Sequence, residues 1–444
     1  MHIQLSDHFT YPRLLRFVFP SIVMMIFTSI YGVVDGLFIS NFTGKTPFAA
    51  INLIWPFLMC FGAVGFMLGT GGSALVSRSL GEGKKERANQ EFSFLIHVAV
   101  FLGVVITILG IAFMRPVARL LGAEGDMLEM CVLYGNIVMS AQTAFILQSM
   151  FQTFFVTAEK PHLGLVFTVA AGVTNMGLDL LLVAVFRWGI AGAALATALS
   201  QVVGGIGPFI YFARRNSSLL RLTKTTWNGK ALLQSCANGS SELMTNLSSS
   251  IVNALYNVQL MHLAGEDGVA AYGVIMYANF IFVGVFLGYS IGVAPVVGYH
   301  YGAGSTNELK NLFRKSLALM AIGGTMMLVL SQGLALPLSR VFVGYDAELL
   351  ALTGRGFQLY ALSFLLMGFN IFASAFFTAL SNGPVSAAIS FLRTLLFQVA
   401  AILILPELLG STDGVWLSVV AAEAFALGVS VFFFVKMKKR YQYA

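Results

Sequence analysis

The sequence predicts an all-α polytopic membrane protein with twelve transmembrane helices in two six-helix lobes, and three observations carry this prediction. First, 57% of the 444 residues are hydrophobic and only 10% are charged, whereas soluble domains carry about 25% charged residues. Second, apolar runs of about 20 residues or more, the length that spans a bilayer, recur between short polar breaks. Third, the first half of the sequence resembles the second.

The apolar runs are continuous rather than alternating, which indicates transmembrane helices and not the strands of a membrane barrel. Because a helix rises 1.5 Å per residue, each run is long enough to cross the hydrocarbon core. We expect twelve spans near residues 14–40, 48–77, 90–114, 127–156, 162–186, 189–212, 230–263, 269–298, 311–339, 348–379, 384–406 and 414–436.

The basic residues indicate how the chain is oriented. With these spans, nineteen Lys and Arg residues fall on the side of both termini and only five, including Lys45, fall on the opposite side. Cytoplasmic loops are enriched in Lys and Arg, so we expect a multi-pass protein of the inner (plasma) membrane with both termini in the cytoplasm. This topology also explains the net charge of +7 without a nucleic-acid partner.

The two halves form an internal parallel repeat. The segment 81–122 resembles 302–343 at a constant offset of 221 residues. Each half holds six spans, so both halves share one orientation and are related by an axis along the membrane normal. We place the N-terminal lobe at 1–213, a cytoplasmic linker at 214–229 and the C-terminal lobe at 230–444. Repeats of this kind place a substrate site between the halves in transporters, although duplication can also simply build a stable bundle.

Two acids lie deep inside apolar spans. Asp35 is in the first span and Asp179 in the fifth, with Asn175 one helical turn before Asp179 on the same face. A charge near the bilayer centre costs about 3 kcal/mol, so such acids point to function. Counting residues from the nearer membrane face puts both acids and Thr197 of the sixth span at one depth.

These four side chains can converge, and their oxygens are hard ligands suited to a small cation. Two carboxylates placed close together also favour proton binding by one of them. We therefore predict a cation site for H⁺ or Na⁺ at Asp35, Asn175, Asp179 and Thr197. The alternative is that the four groups only hydrogen-bond one another and join the helices.

Two further helix faces are candidates for a substrate cavity. In the first span, Pro20, Met24, Thr28, Tyr31 and Asp35 recur at helical spacing. Pro20 removes a backbone hydrogen bond, which either lets the helix bend between two shapes or leaves a static kink.

The seventh span carries Glu242, Asn246 and Asn253 on a polar stripe that would not face lipid. We predict that this stripe lines the cavity and that Glu242 attracts a cationic substrate. Arg393 and Glu423, also near mid-depth, pair either with each other or with Glu242.

Several functions are excluded by missing motifs. The sequence contains no Walker motif, no nucleophile elbow and no zinc-protease or deaminase pattern. Its three cysteines lack the spacing of a metal site or a disulfide framework. We expect a protein that is not an enzyme, uses no ATP and no cofactor, and draws its energy from an ion gradient.

The chain resembles the multidrug and toxic compound extrusion (MATE) transporters over essentially its whole length, and bacterial DinF-like and MepA-like members in particular. The segments that carry the resemblance are Tyr31-Gly-Val-Val-Asp35, Asn175-Met-Gly-Leu-Asp179, Gly189-Ile-Ala-Gly-Ala-Ala and Asp413-Gly-Val-Trp416. The resemblance implies efflux of structurally varied, often cationic organic compounds in exchange for H⁺ or Na⁺, by rocking of two lobes.

The resemblance also bears on single residues. The four side chains of the predicted cation site match the amino-terminal-lobe site of the DinF-like and related branches. In the NorM-type branch a Glu matched by Glu242 works with an Asp of the tenth span. Here that span has no acid after Glu348 at its entrance, which leaves Glu242 free to serve the substrate.

The sequence thus predicts a monomeric antiporter in the lipid bilayer with small organic substrates. A flippase for lipid-linked precursors is the first rival, but it needs basic cavity residues, for which only Arg355 and Arg393 are candidates. A membrane-embedded enzyme would need a nucleophile or a set of metal ligands, and the sequence shows neither. A passive channel differs from an antiporter by the absence of coupling.

Overall fold

A computed structural model describes residues 3–444, apart from the side chains of Ser40 and Lys45, and these residues form helices without any strand. The first half contains α1 (Tyr11–Phe42), α2 (Lys45–Gly81), α3 (Lys85–Leu120), α4 (Gly125–Ser140), α5 (Gln142–Thr157), α6 (Pro161–Leu178) with a π-helical continuation (Asp179–Val185), and α7 (Gly189–Ala213). The second half contains α8 (Gly229–Gly302), α9 (Thr306–Val343), α10 (Ala347–Ala361), α11 (Phe364–Ala379), α12 (Gly383–Phe391) with a π-helical continuation (Leu392–Leu396), α13 (Phe397–Leu409) and α14 (Thr412–Tyr441).

The predicted spans are present, although two of them are bent. Among the described residues, nine stretches are long and apolar enough to cross a membrane, and the pairs α4–α5 and α10–α11 add two more as spans bent by 54° and 48°. The sequence predicted each pair as one span, at 127–156 and 348–379. The bends are part of the repeat, because α4 ends at Ser140 and α10 ends at Ala361, positions separated by the offset of 221 found in the sequence.

The long helix α8 is a hairpin of two spans. Its backbone leaves the helical conformation at Gly265, where φ is 60° and ψ is −146°, a conformation that glycine adopts without steric cost. The Tyr272 hydroxyl donates to Asn253 Oδ1 at 2.7 Å, whereas a straight helix would separate these residues by about 28 Å. With α8 divided at Gly265, residues 3–444 contain the predicted twelve spans, six in each half.

Glycines let the two lobes meet backbone to backbone near the side of the chain termini, here called the terminal side. Gly81 at the end of α2 contacts the Tyr299 carbonyl, and Gly302 at the end of α8 contacts the Arg78 carbonyl. Adding 221 to Gly81 gives Gly302, and subtracting 221 from Tyr299 gives Arg78, so the repeat relates the two contacts to each other. The interface is therefore self-complementary, as expected for two copies of one unit around a two-fold axis.

The interface is more open on the opposite side. In α8, the polar residues Ser249 and Asn253 are exposed, as is Asn52 of α2. Toward the terminal side, Gly239 of α8 packs directly on the Met67 backbone of α2. The lobes are thus closed at the terminal side and expose a polar surface toward the other.

The segment before α1 joins the lobes across the terminal side. The Leu5 amide donates to Glu159 Oε1, in the N-terminal lobe, at 2.6 Å. The Phe9 amide donates to Glu308 Oε1 of α9, in the C-terminal lobe, at 2.9 Å, and His8 Nδ1 lies 2.6 Å from Glu308 Oε2. This segment reinforces the closure made by the glycine contacts.

Candidate cation site

The candidate site forms where three helices of the N-terminal lobe converge. Asp35 lies on α1, Asn175 on α6 and Thr197 on α7, while Asp179 begins the π-helical turn. These elements contact one another. Two small residues permit the approach: Gly172 of α6 packs on the rings of Phe27 and Tyr31, and Gly192 of α7 packs on the Leu182 backbone.

The structure brings both predicted acids together. The Asp35 carboxylate faces the Asp179 carboxylate and the Asn175 amide at close range. Asp179, Asn175 and Thr197 are buried. The site also includes a π-helical turn, an irregularity that is frequent at functional sites.

Five oxygens of this cluster lack hydrogen-bond donors. Asp35 Oδ1, Asn175 Oδ1, both Asp179 carboxylate oxygens and Thr197 Oγ1 are buried and accept no hydrogen bond from a described residue. Burying a polar group without a partner is costly, and burying a charge without one is more so. A proton shared by the carboxylates, or a small hard cation bound among the oxygens, would supply the positive charge that these groups lack. The donor set therefore fits either coupling ion.

Three further polar residues near this cluster were not predicted. The buried Tyr134 hydroxyl lies beside Thr197 and near both acids, and Gln148 lies beside Tyr31. Gln201 is buried one turn after Thr197 on α7, with Oε1 unpartnered. Each is a polar side chain within an apolar span, a sequence signal like the one that selected the acids but without their charge.

Only part of the predicted polar face of α1 lies in polar surroundings. α1 continues as a helix through the buried Pro20. Met24 is buried, and the Thr28 hydroxyl donates to the Met24 carbonyl at 2.9 Å within the same helix. Tyr31 lies near Asp35 and contacts Gly172. Of this face, Tyr31 and Asp35 join the cation cluster.

The MatE family profile matches residues 20–181 and 243–403, one region in each lobe. The chain belongs to the MatE family. This family consists of membrane transporters and not of enzymes, as the sequence predicted.

Similar proteins agree with this assignment. The chain is 23% identical to "Multidrug export protein MepA" of Staphylococcus haemolyticus, over 97% of this chain and 94% of that protein. Its fold superimposes on a solved structure described as "Crystal structure of MATE in complex with MaL6" with a TM-score of 0.91. The two chains are 21% identical, and the superposition covers 97% of each. It also matches "Outward-facing conformation of a multidrug resistance MATE family transporter of the MOP superfamily", with a TM-score of 0.90, 21% identity and coverage of 97% and 96%. The MatE chain therefore has the fold of these transporters.

The seventh-span residues lie apart from the cation cluster, in the C-terminal lobe of this MatE chain. Asn246 Nδ2 donates to the Glu242 carbonyl at 2.8 Å within α8, and Asn253 is exposed on the more open side. The Glu242 carboxylate makes no hydrogen bond to a described residue and lies within electrostatic range of Arg393. The structure thus places Glu242 within electrostatic range of a basic residue of its own lobe and not in the cluster of Asp35 and Asp179.

The spans of the C-terminal lobe also contain the buried acid Glu423, and this one is fully paired. Arg393 Nε donates to Glu423 Oε1 at 2.8 Å and to Oε2 at 3.0 Å. Asn370 of α11 donates to Glu423 Oε2 at 2.7 Å, and Ser430 donates to Asn370 Oδ1 at 2.9 Å. The alternative in which Arg393 and Glu423 pair with each other is the one observed.

Proposed function

We propose that the chain is a cation-coupled antiporter that exports structurally varied, often cationic organic compounds in exchange for H⁺ or Na⁺. The observation that carries this proposal is the set of buried, unpartnered oxygens on Asp35, Asn175, Asp179 and Thr197. Proton or Na⁺ binding there would remove the cost of burying two unpaired carboxylates. A similar protein is named a multidrug export protein, which supports export of organic compounds.

Coupling requires that the ion and the substrate favour different states of the transporter. A ligand shifts a conformational equilibrium only through its differential affinity for the two states. Asp35 lies on α1, which packs against the C-terminal lobe along α8, while its site partners lie on α6 and α7 of its own lobe. Ion binding at Asp35 can therefore act on the helix that forms part of the lobe interface.

Rocking of the lobes fits the asymmetric interface. The basic loops favour a cytoplasmic terminal side, so closure there and exposure of Ser249 and Asn253 on the other side correspond to an outward-facing state. Return to the inward-facing state would require the contacts of Gly81 and Gly302 to separate. Pro20 lies on α1 at this interface, where a missing backbone hydrogen bond favours bending.

We place substrate recognition at Glu242, Asn246 and Asn253 on α8, with the carboxylate of Glu242 attracting the cationic group. The flippase alternative needs free basic side chains for phosphate. Arg393 is paired with Glu423, and Arg355 is paired with Asp413, which disfavours that alternative.

The test is export from proteoliposomes under imposed H⁺ or Na⁺ gradients. We expect Asp35→Asn and Asp179→Asn each to lower gradient-driven export at least about tenfold, since a lost interaction of 1.4 kcal/mol already corresponds to a factor of ten. Asp267→Asn, which changes an exposed acid on α8, is the matched control and should export normally.

Two outcomes would count against the proposal in different ways. Normal export by both site variants would remove the ion site but leave an exporter. Export by the unmodified protein that continues with both gradients collapsed would remove antiport itself. The gradient that drives export identifies the coupling ion.

A further inference from the structure

A large open groove lies between α3 and the linker, away from the cation site and the lobe interface. Its volume is about 910 Å³. The walls come from one face of α3 and from the linker with the start of α8: Phe94, His97, Val98, Phe101, Leu102, Leu222, Thr223, Lys224, Thr225, Thr226, Trp227 and Leu232. Nothing in the proposed transport cycle uses this groove.

The linker wall of the groove is held in place by α3. The Arg221 amide donates to Asn89 Oδ1 at 2.8 Å, and the Thr223 amide donates to Ser93 Oγ at 2.8 Å. These bonds run along one side of α3 and fix the linker as an extended strip. The groove is therefore a built feature of the fold and not a gap beside a free loop.

The groove runs from the membrane interface into the hydrocarbon region. α3 has 36 residues and is about 54 Å long, so it extends about 12 Å beyond each side of a hydrocarbon core about 30 Å thick. Phe94 lies at the level where the core begins on the terminal side, and Phe101, which is 68% exposed, lies about 10 Å deeper. An acyl chain beside α3 would occupy the same range of depth.

The mouth of the groove, where Lys224 is a lining residue, borders a basic segment of the linker. Residues 214–230 contain five basic residues and no acidic residue: Arg214, Arg215, Arg221, Lys224 and Lys230. None of the five forms an ion pair with any residue that the structure describes. On the adjoining start of α3, Glu91 is paired with Arg87, and Glu86 is the remaining acid. The linker therefore keeps a net positive charge beside the groove.

Trp227 marks the boundary between the basic mouth and the apolar wall. Its indole ring packs edge-on against Phe94, with ring centroids 5.5 Å apart, and remains 78% exposed. Tryptophan is enriched at the level of lipid headgroups, where one part of the ring is in contact with hydrocarbon and the other with water.

We propose that this groove binds an anionic phospholipid of the leaflet on the terminal side. The headgroup phosphate would lie against Lys224 and the neighbouring basic residues of the linker. An acyl chain would lie along Phe94, Val98 and Phe101. Charge decides the class of lipid, because unpaired basic residues at a membrane surface attract anionic headgroups, whereas a zwitterionic headgroup gains little. The bound lipid would hold the linker between the lobes against the N-terminal lobe.

The fluorescence of Trp227 tests this site, since it is the tryptophan that lines the groove. The chain has four tryptophans, and the difference between the unmodified protein and Trp227→Phe isolates this one. We expect brominated phosphatidylglycerol, at low mole fraction in a bilayer, to quench this difference signal with about fivefold higher apparent affinity than brominated phosphatidylcholine. This is the preference that one basic residue at the membrane surface provides.

Variants at the mouth separate a lipid site from ordinary bilayer contact. Arg221→Gln with Lys224→Gln should remove the preference for phosphatidylglycerol, while Lys438→Gln with Lys439→Gln, an equal loss of charge at the end of α14, should keep it. Equal quenching by both lipids in the unmodified protein would overturn the proposal, as would a preference that survives the Arg221 and Lys224 changes. Reversal of the quenching by inorganic phosphate would replace the lipid by a free anion and would also overturn it.

Discussion

The two lobes share a scaffold, but an acid pair in the spans of one lobe lacks hydrogen-bond donors, whereas the buried acid Glu423 in the spans of the other is fully paired. In the N-terminal lobe, Asp35 and Asp179 face each other with oxygens that no described donor satisfies. In the C-terminal lobe, Glu423 accepts from Arg393 and Asn370 and is neutralised inside the protein. Arg393 thus supplies Glu423 with a positive charge, whereas no basic side chain that the structure describes is paired with Asp35 or Asp179.

The difference is built from similar backbone features. The fifth span and the eleventh span, which correspond in the repeat, each contain a π-helical turn. The first turn begins at Asp179 and the second contains Arg393. With the repeat offset of 221, Asp179 corresponds to Ala400 and Arg393 to Gly172, so the two turns lie at different levels of this span. The corresponding spans thus each combine a π-helical turn with a charged residue, but the two charges differ in sign and in position.

The largest expected effect comes from breaking the fixed pair. Arg393→Met should lower the free energy of unfolding by about 3–5 kcal/mol, because it leaves the Glu423 carboxylate buried without its counter-charge. Thermal unfolding in detergent measures the loss. The double change Arg393→Met with Glu423→Met should recover most of it, since two apolar side chains replace the pair. A single variant as stable as the parent would mean that the pair is not structurally important.

A smaller effect is expected from the amide that supports the pair. Asn370→Ala removes a donor to Glu423 and the acceptor of Ser430, and should cost about 1–3 kcal/mol in unfolding free energy. Asn246→Ala is the matched control, because the Asn246 side chain bonds only to a carbonyl of its own helix. Equal losses in the two variants would show that Asn370 contributes no more than a local helix contact.

A still smaller change in stability is expected in the N-terminal lobe. Asp179→Asn removes a charge that has no partner, so the unfolding free energy without a bound ion should change by less than about 1 kcal/mol or rise. Ligands that bind the folded state raise its stability by mass action, so melting of the parent should shift upward with Na⁺ or with acid, and that of the variant should not. A parent whose melting responds to neither ion would contradict a coupling site here.

The smallest effect is expected at the tyrosine that the sequence did not indicate. Tyr134→Phe removes a buried hydroxyl without a hydrogen-bond partner and should change the unfolding free energy by less than about 1 kcal/mol. It should still shift the ion concentration at which export is half-maximal, because the hydroxyl lies beside Thr197 and near both acids. Tyr345→Phe, at an exposed position, should shift neither quantity.

Much of the fold could be predicted because a bilayer imposes strong local rules. Every span must be long and apolar, and every charge inside it is costly. These rules gave the twelve spans and selected Asp35, Asp179, Glu242 and Glu423 as residues that need an explanation. The repeat followed from a different signal, the residues of 81–122 that match 302–343 at a constant offset of 221. The assignment of the cation site itself stays a prediction.

Tertiary structure decided what each polar group contacts. Sequence could not show that Asn370 reaches Glu423, that Tyr134 lies beside Thr197, or that the linker and α3 enclose a groove, because these partners are far apart in the chain. Nor could local hydrophobicity reveal the bends after Ser140 and Ala361, since a bent span and a straight one have the same composition. The sequence alone determined which residues are costly to bury, and only the packing of distant helices decided which of them found partners.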